Sequence, residues 1–114
     1  MSTTIDTRTA QYVKIYHYLR DKLKIVIIVT DEDDAAVDLS AKTLVCSIRE
    51  SEGGSAVETI SGENVTISGG NNNVVTIEKA LTSLTDRTYH IDLDNTTDNE
   101  TIFDGKLIAS YQGR

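Results

Sequence analysis

Apolar residues in this chain recur at every second position in short runs. Turn-forming residues interrupt the runs about every 8–12 positions, the spacing of an all-β sandwich. In 23–30, Leu23, Ile25, Ile27 and Val29 fall on one side of a strand and Lys24, Val26, Ile28 and Thr30 on the other. Leu44, Cys46 and Ile48 alternate with Val45, Ser47 and Arg49, and Tyr89, Ile91 and Leu93 with His90, Asp92 and Asp94. In 11–19, Val13 and Ile15 oppose Tyr12, Lys14, Tyr16 and Tyr18. Shorter runs at 57–60, 64–68 and 74–78, and a last one at 101–111 bent near Gly105, bring the total to about eight or nine strands. Gly69-Gly70-Asn71-Asn72-Asn73 is the clearest hairpin, because Gly and Asn tolerate positive φ. One segment breaks the period of two: Leu81 and Leu84, within 79–86, suit a helical turn plugging one end of the core. No strand–helix–strand alternation occurs, which excludes a parallel sheet with a nucleotide crevice.

The expected fold is therefore all-β, a two-layer antiparallel β-sandwich with one short helical turn. Residues 10–114 form the single domain, and 1–9, polar and Thr-rich, a flexible N-terminal arm. At 114 residues the chain can bury one core. Its expected members are Leu23, Ile25, Ile27, Val29, Leu44, Cys46, Ile48, Val65, Ile67, Val75, Ile77, Tyr89, Ile91 and Leu93. A net charge of −7 repels phosphate backbones, and with no Trp and one Phe there is no stacking platform, so nucleic acid is not an expected partner. One cysteine forbids an intrachain disulfide or a cysteine zinc cluster. The first residues have neither a basic nor an apolar region, so no signal peptide is expected. The longest apolar run, 25–29, is far short of the ~20 residues of a membrane helix, and membrane insertion is not expected.

No motif carries catalytic chemistry. His17 and His90 lack a Ser or Cys partner at a recognisable spacing, and no nucleophile elbow occurs. His90 reads as an outward strand residue and Cys46 as a buried, inert thiol. Gly69-Gly70 precedes a strand, whereas a phosphate loop precedes a helix. Asp31-Glu32-Asp33-Asp34 is either a solvated turn or one part of a divalent-cation site, with Asp92, Asp94 and Asp98 as a second acidic edge. The expectation is a protein that is not an enzyme, with no catalytic, cofactor or metal residue assigned. One feature exceeds ordinary surface character. Val26 and Ile28 stand at outward positions, and Tyr12, Tyr16 and Tyr18 share one face of their strand. Together they make an apolar and phenolic patch, either a partner interface or a surface covered by a loop or by the 1–9 arm.

The order of these pieces resembles the small immunoglobulin-like domains of tailed-phage baseplates and tails, typified by the N-terminal domain of baseplate upper proteins. Tyr16-His17-Tyr18-Leu19-Arg20-Asp21-Lys22-Leu23 is similar to the family's lead-in to its first core strand. Ile25 to Val29, the acidic turn and Val37-Asp38-Leu39-Ser40 are similar to its strand, turn and following step, and Lys42 to Arg49 to the next strand. Leu81 to Leu84, Tyr89 to Leu93 and Thr101 to Ile108 around Gly105 resemble its plug and last strands. The likeness spans roughly 12–110. It departs from the family at Arg20, where a Gly is usual, and at the all-acidic first hairpin. The resemblance implies an immunoglobulin-like sandwich and a phage or prophage virion structural protein. Such a protein is made in the host cytoplasm and docks to other virion proteins or to itself, here as a free-standing version or adaptor. The alternative is a small ligand- or glycan-binding sandwich, calcium-dependent at the acidic turn.

Overall fold

Nine strands pack in two layers in the computed structural model, which describes residues 2–6, 12–19, 21–30, 33, 35–51 and 53–111, the backbone alone at 2–6 and 12–14. In chain order they are β1 (Ser2–Asp6), β2 (Tyr12–Tyr18), β3 (Leu23–Ile28), β4 (Leu44–Arg49), β5 (Ala56–Ile60), β6 (Val65–Ser68), β7 (Val74–Lys79), β8 (Arg87–Asn95) and β9 (Glu100–Ser110). A four-stranded sheet, β1-β3-β7-β6, faces a five-stranded sheet, β2-β9-β8-β4-β5. With β2 and β5 set aside as flanking strands, this is the strand order of an immunoglobulin-like sandwich. Neighbours run antiparallel except β1 on β3 and β2 on β9, which are parallel.

Alternation places the core. Ile25, Ile27, Cys46, Ile48, Val75, Ile77, Ile91 and Leu93 are all fully buried between the sheets, as the period of two requires. Val65 and Ile67 are half-buried because β6 is an edge strand, covered from one side only. Ile15, Leu39, Ile60, Phe103, Leu107 and Ala109 complete the core.

Three features differ from the sequence reading. Residues 2–6 are not a loose arm: they pair with β3 from Ser2–Lys24 to Asp6–Ile28. The rest of 1–9 lies outside the described residues. The helical turn sits at Gly62–Asn64, while 80–86 is irregular. Leu81 and Leu84 still plug the core. Here side chains take main-chain donors that a helix would need: Ser83 N–H donates to Glu58 Oε2 (3.3 Å) and Thr85 N–H to Tyr89 Oη (2.8 Å). Finally, the irregularity of the last strand falls at Ile102, where the register with β8 shifts, and not at Gly105, which sits in the ladder opposite Ile91.

The 69–73 hairpin behaves as its composition requires, with φ of 90° at Gly69 and 54° at Asn72. It also ties down the crossing segment. Asn72 O accepts from Leu39 N–H, Asn73 O accepts from Val29 N–H, and Asn73 Nδ2 donates to Val29 O.

Candidate interaction surfaces

β2 is an edge strand, hydrogen-bonded to β9 from Tyr12–Asp104 to Tyr18–Ser110, with its far side unpaired among the described residues. Its alternation turns Ile15 and His17 inward and Tyr16 outward, 43% exposed, with Tyr18 half-buried on the same side. The side chain of Tyr12 lies outside the described residues. Ile108, the register partner of Tyr16 on β9, is half-buried beside it and extends this phenolic surface.

β3 lies one strand in from the edge of the other sheet. Ile28, 37% exposed, faces outward next to half-buried Val74 on β7, and Val26 is half-buried between Thr4 and Thr76. Tyr16 and Tyr18 therefore belong to one sheet and the Val26/Ile28 pair to the other, on opposite outer faces. They are two surfaces on opposite faces of the sandwich, and the single patch read from the sequence does not form. Val74 and Ile108 were missed because alternation gives a residue's face but not the strand beside it.

Over β4 and β8 the outer face of the five-stranded sheet carries charged residues. Arg49 donates to Asp92 Oδ2, and Asp94 accepts from Thr101 Oγ1 at 3.0 Å. Burial and the neighbouring Asp94 together outweigh Arg49 and push the Asp92 carboxyl above its usual range. His90 is half-buried on this face, between Arg49 and Lys106 in register. His17 is the opposite case: 4% exposed on the inner face, with Nε2 lacking a hydrogen-bond partner among the described residues. Desolvation lowers its pKa from 6.5, opposed by Asp21. Cys46 is fully buried, and desolvation pushes its thiol far upward, as for an inert cysteine.

At the end of the sandwich reached by β3, an open cavity of about 250 Å³ has Val29, Val37, Leu39 and Ile102 as its apolar lining. Lys42 Nζ pairs with Asp98 Oδ2 (2.9 Å) at its wall, and the Lys42 contact, with the amide of Asn95, lowers the Asp98 pKa. Asn95, 3% exposed, also accepts the N–H groups of Thr97 and Asp98 through Oδ1 and so shapes the β8–β9 turn. Asp98 thus comes to the end where Thr30 leads into the acidic turn, but Asp31, Glu32 and Asp34 lie outside the described residues. Asp92 and Asp94 are committed to other partners. Among the described residues no group of three His, Cys, Asp or Glu is arranged to hold a metal ion.

No protein-family model matches the chain, and neither does any curated sequence. Among solved structures, the chain is similar to the N-terminal domain of phage TP901-1 ORF48. The TM-score is 0.55 and the identity 10%, over 96% of this chain and 99% of that one. At that identity the likeness is one of fold, and it is a fold that a phage protein uses.

Proposed function

We propose that the chain is a non-enzymatic structural protein of a phage or prophage virion, a protein–protein docking module of the tail or baseplate. The observation that carries this reading is the placement of Tyr16 and Ile28, exposed large side chains on the outer faces of the two sheets. Burying such groups against a partner stabilises a complex by roughly 25 cal/mol per Å² of apolar surface, less the cost of association. The fold likeness to a phage domain supports the same reading. The partners are other virion proteins or a second copy, joined by the two outer surfaces and by main-chain pairing at the open edge of β2.

Light scattering after size exclusion tests it, on the chain alone and mixed with products of the adjoining reading frames. The expected result is a concentration-dependent complex, insensitive to EDTA, that Ile28→Asp or Tyr16→Ser weakens. A monomer that no adjoining product shifts overturns the proposal. The alternative, a calcium-dependent glycan module, draws on the cavity beside Thr30. At about 250 Å³ it falls below the usual ~300–1,000 Å³ of a small-molecule site, and no aromatic ring lines it. That reading requires millimolar Ca²⁺ to raise the melting temperature by mass action on the native state.

A further inference from the structure

We propose that His17 makes β2 an acid-releasable strand: protonation of its imidazole detaches β2 from β9 and opens that edge of the five-stranded sheet. The inference concerns the chain's own conformational equilibrium and does not depend on the docking role.

The geometry is that of a buried base with no acceptor at Nε2 among the described residues. His17 is 4% exposed, and its Nε2 has no hydrogen-bond partner among the described residues. A neutral imidazole leaves one nitrogen lone pair or one N–H unsatisfied there. The cation makes both ring nitrogens donors and adds a charge that burial penalises far more. Among the described residues its surroundings offer little compensation. The register partner on β9 is Ala109, and Leu107 follows on the same face. Of the charged residues of β9, Asp104 and Lys106 alternate to the outer face and Glu100 stands at the far end of the strand, opposite Asn95. Beyond Ala109 in the same row stands Arg87 of β8, a like charge, drawn to Glu50 (3.4 Å) and held over the Tyr89 ring. On the facing sheet, β3 turns Leu23, Ile25 and Ile27 inward, all apolar. Burial outweighs Asp21, exposed in the turn after β2, which is the carboxylate that favours the cation, and the N-terminal ammonium disfavours it further.

Relief is close at hand, because β2 is held by β9 alone among the described strands. Swinging it away hydrates His17 at the loss of one ladder and the burial of Ile15, whereas unfolding would forfeit the whole core. The sign follows from linkage. A histidine with a depressed folded-state pKa contributes stability that is full above 6.5 and is lost as pH falls from there toward the folded-state value.

The experiment is backbone amide exchange resolved to 12–18, corrected for intrinsic rates, at pH 7.5 and 5.5, with the imidazole of His17 titrated by NMR. The expected result is an increase of up to about tenfold in the opening of β2 on acidification, with β3 and β7 unchanged and an imidazole midpoint below 6.5. His17→Phe removes the pH dependence, and His17→Leu serves if the larger ring does not fold. An imidazole that titrates at or above 6.5, acid opening spread evenly over both sheets, or undiminished acid opening in the variant overturns the proposal.

Discussion

Individual side chains of this sandwich divide into those that hold it together and those it leaves exposed. Ile28 belongs to the second group, so Ile28→Asp is expected to leave a folded monomer with an unchanged far-UV spectrum while weakening assembly. An unfolded variant would move Ile28 into the core. Ile48 belongs to the first group, fully buried on β4, and Ile48→Ala is expected to cost about 2–5 kcal/mol in a urea titration. Asp92 sits between the two groups. Its ion pair with Arg49 does not compensate for burial beside Asp94, so its folded-state carboxyl stays protonated to a higher pH than the ordinary 3.8. A raised carboxylate pKa stabilises below the unfolded value, and that stabilisation is lost as pH rises through the folded one. Asp94→Asn keeps the oxygen that accepts from Thr101 and removes the like charge. It is expected to raise the melting temperature at pH 7, with the gain shrinking as acidification protonates Asp92. A gain independent of pH would refute the electrostatic account.

At the scale of elements, alternation is the signal that sequence carries well, and adjacency is the one it carries poorly. The inward series Leu23/Ile25/Ile27, Leu44/Cys46/Ile48 and Tyr89/Ile91/Leu93 was legible because each strand has one dry face. Nothing in those series says which sheet a strand joins, so Tyr16 and Ile28, both correctly outward, were merged into one patch that two layers separate. Val65 and Ile67 alternate like core residues, but an edge strand gives them only partial cover. β1 was illegible for another reason. Ser2-Thr3-Thr4-Ile5-Asp6 has little to bury, and main-chain bonds to β3 order it. The 69–73 hairpin was readable because its chemistry is local. Asn72, at φ 54°, supplies a direct check: Asn72→Gly is expected to be neutral or stabilising, and Asn72→Ala to cost about 1 kcal/mol by thermal unfolding. Equal stability of the two variants would mean the left-handed conformation is not required.

For the molecule as a whole, the net charge of −7 discourages unspecific self-association, so a homo-oligomer would need the Ile28 or Tyr16 surface to overcome that repulsion. Raising ionic strength from 0.05 to 0.5 M is then expected to strengthen a homo-oligomer, which sedimentation velocity would detect. Weakening instead would point to charge pairs as the adhesive. The parallel closure of β2 against β9 has a kinetic side as well. Tyr12 meets Asp104, made 92 positions later, so on the ribosome β2 must wait for β9 before it has a hydrogen-bonded neighbour among the described strands. With no proline in these 114 residues, no slow isomerisation within them lengthens that wait once β9 is made. Birth order and docking order thus part company at this seam: the strand made earlier settles only once the later one has arrived.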